Sequence, residues 1–97
     1  GQMPTFKNDN TKLVDGGIEA QTHQVMKNLI DVLNAAGSSL EKVIFARVYL
    51  VNFGDFDKMN SVYASYFAKD KLPARTCIGV TGLAVGASVE IDFIAAC

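Results

Sequence analysis

Between Ile18 and Ala36, apolar residues recur at Ile18, Val25, Met26, Leu29, Ile30, Leu33 and Ala36. This three-and-four spacing lines one side of a helix, and a helix with a single apolar stripe must lie on another layer. Glu19 in the first turn suits the helix dipole, and Gly37 stands where a left-handed residue would end the helix. A second stretch, Phe56 to Ala68, carries Phe56, Met59, Tyr63, Tyr66 and Phe67 along one helical face. The turn before it offers Asp55 as N-cap.

The layer under these helices is written with period two. Lys42 to Val51 is dense in β-branched and aromatic side chains and reads as a central strand. One face would send Ile44, Ala46, Val48 and Leu50 toward the helices. The other would carry Val43, Phe45, Arg47, Tyr49 and Val51, a mixture of bulk and charge suited to a subunit interface. Pro73 cannot donate to a sheet, so Leu72-Pro73-Ala74-Arg75 reads as the entry to a strand from Arg75 to Thr81. Gly82 to Ala87 turns the chain, and Ser88 to Ala96 is the last strand, close enough in sequence to pair with its predecessor as a hairpin. Gly1 to Pro4 is too short to assign, Lys7 to Lys12 reads as a polar loop, and an edge strand is expected ahead of the first helix. The expected architecture is α+β: one domain over residues 1–97, a mixed sheet with two helices on one face.

Composition limits what such a domain does. A chain of 97 residues hides only about 60–65% of the surface it exposes when unfolded. With 49% of residues hydrophobic, it has more apolar surface than a small monomer easily covers, so an oligomer is expected. The net charge is −1 and the nine basic residues are scattered, so no stripe exists to neutralise a phosphate backbone, and nucleic acid is not the natural partner. Cys77 and Cys97 do not form the dense pattern of a disulfide-stapled secreted domain, which favours a reducing compartment. No apolar run approaches the roughly 20 residues of a membrane helix, and no charged leader is present, so a protein free of the membrane is expected. The chain begins on Gly1 without an initiator methionine, consistent with upstream material having been removed.

Alternation on the last two strands selects the candidate chemistry. Thr76, Ile78 and Val80 would join Val89, Ile91 and Phe93 beneath the helices. Arg75, Cys77 and Gly79 would join Ser88, Glu90 and Asp92 on the helix-free face. That face is either a solvated polar surface or a pocket completed by a second subunit. In a pocket, Arg75 could grip a small carboxylate with two parallel hydrogen bonds, Glu90 could accept a proton from water, and Gly79 could let backbone approach the ligand. Cys77 as a nucleophile would need a base beside it. The single histidine, His23, lies mid-helix without a second ligand at metal spacing, so no metal site is expected. Asn60, polar among aromatic neighbours, is either solvent-facing or a hydrogen-bonding group at an interface.

Several blocks together resemble a known family: Gly1-Gln2-Met3-Pro4, Gly17 to Thr22, Ala35 to Leu40, Val48-Tyr49-Leu50, Asp55-Phe56 with Asn60 and Tyr63, Pro73-Ala74-Arg75 with Cys77, and Val89-Glu90-Ile91. They look like the Rid (YjgF) family, closest in kind to the RidA group of reactive intermediate deaminases, also described as perchloric-acid-soluble proteins or translation inhibitors. The resemblance implies a fold similar to bacterial chorismate mutase, a homotrimer with sites between subunits, and hydrolysis of 2-imino acids to 2-keto acids and ammonia without cofactor or metal. It implies that Arg75 binds the substrate carboxylate, that backbone at Cys77 contacts the imine or the attacking water, and that Glu90 positions that water. Gly1 would line the pocket, and Asn60 would support it or the interface. The resemblance also implies a segment ahead of Gly1, with two strands and a pocket-reaching tyrosine, that is expected to be missing from the sequence as given. Thr76, Ala84 and Asp92 are milder departures. The other readings are a non-catalytic or chaperone-like trimeric remnant and, ranked below it, an RNA-directed ribonuclease or translation inhibitor. The expected compartment is the cytoplasm, with the mitochondrion as alternative.

Overall fold

A computed structural model describes residues 1–96. The reading of Cys97 lies outside them. The first helix, α1, spans Gly17–Ala35 and buries Ile18, Val25, Met26, Leu29 and Leu33, the stripe its spacing predicts. It stops as expected. Gly37 adopts φ 77°, its N–H donates to the Asn34 carbonyl at 3.1 Å, and the Ser38 N–H reaches back to the Leu33 carbonyl at 2.8 Å. Those two bonds satisfy carbonyls that a helix end otherwise leaves free.

The sheet is built around β3, Val43–Leu50. β4, Ala74–Gly79, pairs with β3 in parallel, and β5, Val89–Ala95, pairs with it antiparallel, giving the order β4-β3-β5. The expected hairpin between the last two strands is therefore not formed. β3 is the most apolar strand, with Ala46, Val48 and Leu50 fully buried, and each later strand takes one of its two edges. A parallel pair needs a crossover, which α2, Phe56–Ser65, supplies between β3 and β4. α2 is shorter than the predicted stretch to Ala68. Tyr66 and Phe67 nevertheless keep packing: the Tyr66 hydroxyl meets His23 Nδ1 at 2.8 Å and the Phe67 ring meets Phe93 edge-on. Asp55 makes no side-chain cap on α2; the 3-10 turn before it, Phe53–Asp55, is capped by Asn52, whose side-chain oxygen accepts the Gly54 N–H at 3.0 Å.

Two further departures come from the backbone. A register shift between Val43 and Phe45 turns Val43 inward and leaves Ile44 61% exposed, the reverse of strict alternation. The presumed polar loop contains a strand. β1, Thr5–Phe6, and β2, Asp9–Leu13, form an antiparallel hairpin whose mostly exposed side chains carry no apolar pattern to betray it. It is tied to α1 by the Asn28 Nδ2, which donates to the Met3 and Thr5 carbonyls at 3.0 Å each. Gln2 exchanges two backbone bonds with Ile91 on the outer side of β5, and so brings Gly1 beside Glu90.

The core lies between the helices and one face of the sheet, where Val25, Met26, Val48, Leu50, Met59 and Ile91 are fully buried. The opposite face is uncovered. It presents Phe45, Arg47 and Tyr49 with Ile78 and Ile94, the last two 45% and 48% exposed. No helix among the described residues is long and apolar enough to cross a membrane.

Candidate functional site

Register decides what each strand residue can reach. Arg75 pairs with Ala46 and Cys77 with Val48, so both share the helix-covered face, while Thr76 and Ile78 align with Arg47 and Tyr49 on the open face. This reverses the sequence expectation for β4. Polarity misleads here because the open face is itself rich in apolar side chains, and because a guanidinium can lie over aromatic rings while keeping its donors available. On β5 the expectation holds: Val89 and Ile91 are buried, and Glu90 and Asp92 lie on the open face opposite Tyr49 and Arg47.

Arg75 enters at the start of the edge strand, just after Pro73, where a missing N–H removes nothing from the ladder. Its Nη1 donates to Asn60 Oδ1 at 2.5 Å. Its guanidinium carbon lies 4.9 Å from the centre of the Tyr63 ring and 5.5 Å from that of Phe56. Among the described residues no carboxylate forms an ion pair with it. The result is a half-buried cation with donors to spare. Beside it, Asn60, Tyr63, Ala64, Leu72, Pro73 and Arg75 line a hollow of about 280 Å³.

Cys77, two residues on, is half-buried and packs against the core cluster. Burial pushes its thiol up, with Arg75 pulling the other way. That favours the neutral thiol at pH 7 and argues against a nucleophile. Nothing crowds Gly79: a Cβ there would meet the Phe53 ring and the Leu50 carbonyl at ordinary contact distances.

Glu90 and Gly1 form the second group. Glu90 is half-buried, and Gly1 lies directly against its carboxylate: a Cβ there would overlap Oε2 and push the side chain aside. On the same face, Arg47 Nε donates to Asp92 Oδ1 at 2.8 Å, a directly opposed cross-strand pair. The two groups stay apart. β4 and β5 are separated by β3, and Arg75 aligns with Ala46 while Glu90 aligns with Tyr49, so they stand two strand spacings across and three residues along, about 14 Å, with their side chains on opposite faces.

The sequence offered Arg75, Asn60, Cys77, Glu90 and Gly1 as candidates, and placed Tyr63 and Phe56 on the apolar face of the second helix without a site role. The signal for their second part was available. Phe56, Asn60 and Tyr63 stand at i, i+4 and i+7, so three side chains of different chemistry project from one side of α2.

Fold and site together define a class: a small two-layer α+β protein whose edge strand carries an arginine with no carboxylate partner among the described residues. The chain belongs to the YjgF/Rid family, whose domain model, Endoribonuclease L-PSP, matches residues 1–97. Protein HMF1 of Saccharomyces cerevisiae is 43% identical over 96 residues, covering 99% of this chain and 72% of that protein. The RutC family protein PH0854 of Pyrococcus horikoshii is 44% identical over 95 residues, covering 98% of this chain and 74% of its own. The crystal structure of YyfA from Yersinia pestis, described as a Rid-family protein of unknown function, matches with a TM-score of 0.92 at 38% identity, over 98% of this chain and 75% of that one. The family expected from the Pro-Ala-Arg segment and the glutamate-bearing last strand is the family found.

Proposed function

We propose that this protein hydrolyses 2-imino acids to 2-keto acids and ammonia, in sites shared between copies of a homotrimer. One observation carries the reading: a half-buried guanidinium, already held by Asn60 and two aromatic rings, leaves donors unused at the rim of a hollow sized for a small acid. Arginine in that state suits a carboxylate, which it meets with two parallel charge-assisted hydrogen bonds.

The chemistry asks for little more. Water adds to the imine carbon as a carboxylate accepts its proton, the nitrogen is protonated, and the carbon–nitrogen bond breaks to release ammonia and leave the keto group. Glu90 is the group assigned to that proton, and Gly1 to the space beside it. Backbone at Cys77 lies near enough to Arg75 to contact the imine or the water. Imine hydrolysis proceeds readily in water, so alignment supplies much of the acceleration. Because Arg75 and Glu90 sit on opposite faces and opposite edges of one sheet, a substrate touching both needs Arg75 from one copy and Glu90 from another. An uncovered sheet face with exposed Ile78 and Ile94 supports such an assembly.

The test is release of ammonia and keto acid from 2-iminopropanoate generated in place, for this chain and its Arg75→Ala variant at matched oligomeric state. The expected outcome is acceleration by the unaltered chain and a loss of about 100-fold or more in kcat/KM for Arg75→Ala. Equal rates for the two, or no rate above the uncatalysed one, would overturn the reading.

A further inference from the structure

We infer that Tyr63 and Phe56 are positioning residues: their rings form a platform that fixes the Arg75 guanidinium in the orientation that receives a carboxylate. This rests on the deaminase reading and adds to it two residues that act through the arginine. Both ring centres lie within the roughly 6 Å over which a guanidinium is attracted to an aromatic face. Asn60, one helical turn after Phe56 and one before Tyr63, takes a single Nη1 hydrogen. Arginine otherwise has large rotamer freedom to lose on binding; a guanidinium already fixed loses less of it.

The Tyr63 hydroxyl shows which part of that side chain acts. Tyr63 is 2% exposed and its oxygen is buried with no hydrogen-bond partner among the described residues. A hydroxyl with no partner among the described residues does not hold the guanidinium, so the ring does the positioning, and phenylalanine should substitute. The same ring, with Ala64, Leu72 and Pro73, walls the hollow beside Arg75, which therefore suits an acid with a small apolar side chain.

The full chain is examined by the ¹H–¹⁵N signal of Arg75 Nε without ligand, by the Kd for pyruvate as the carboxylate probe, and by kcat and KM for 2-iminopropanoate. Tyr63→Leu is expected to move the Arg75 signal to that of an exposed arginine, weaken pyruvate about tenfold and raise KM alike, with kcat within about twofold. Tyr63→Phe restores signal and affinity. Should Tyr63→Leu fail to fold, Phe56→Leu at the half-buried helix start carries the same test with about a threefold effect. An Arg75 signal and pyruvate affinity unchanged in the leucine variants, or Tyr63→Phe as impaired as Tyr63→Leu, would overturn the inference. A native chain that binds pyruvate through the platform but hydrolyses no imine would support the inference and overturn the deaminase reading alone.

Discussion

Arg75 and Cys77 lie two residues apart on the same side of β4 and meet different fates. The arginine extends over rings and keeps donors free; the thiol turns into the core and is pushed toward its neutral form by burial. The direction of that shift makes a prediction. Alkylation of Cys77 by iodoacetamide, followed by mass spectrometry of its peptide, should set in at higher pH than for free cysteine. Onset at or below that of free cysteine would restore a nucleophilic reading. At this scale the sequence revealed residue type better than direction. Arg75, Asn60 and Glu90 stood out because each is polar where its element is apolar. The face Arg75 occupies depends on the β3–β4 register, which one strand read alone does not contain.

Elements were legible where side chains carry their period. α1, α2 and β3 each bury one face, and their patterns gave their places within a few residues. β2 is held by backbone pairing and is largely exposed, so no hydrophobic pattern marked it, and the parallel pairing of β4 was hidden by its closeness in sequence to β5. The β1–β2 hairpin depends on Asn28, a buried amide donating to two carbonyls from the middle of α1. Asn28→Ala leaves those carbonyls without their donor and should lower stability by about 2 kcal/mol. Urea unfolding would measure it. A change below about 0.5 kcal/mol would mean that water replaces the amide and that the hairpin is held elsewhere.

At the scale of the whole molecule, the arginine and the glutamate are each well placed and cannot meet within one chain. The hydrophobic content of the sequence leads us to expect a second copy, and the uncovered sheet face is the surface that the proposed assembly would use. Shared sites have a consequence that sites within one chain lack. On the proposed reading, Arg75→Ala and Glu90→Gln subunits are each expected to be inactive alone and to complement when mixed, because some interfaces would then pair an intact Arg75 with an intact Glu90. The measurement is imine hydrolysis by an equal mixture of the two variants, unfolded and refolded together, with each variant refolded alone as control. Random assembly predicts recovery of about a quarter of the native activity in the mixture. A mixture as inactive as its parents, at the native oligomeric state, would contradict a site built from Arg75 of one copy and Glu90 of another.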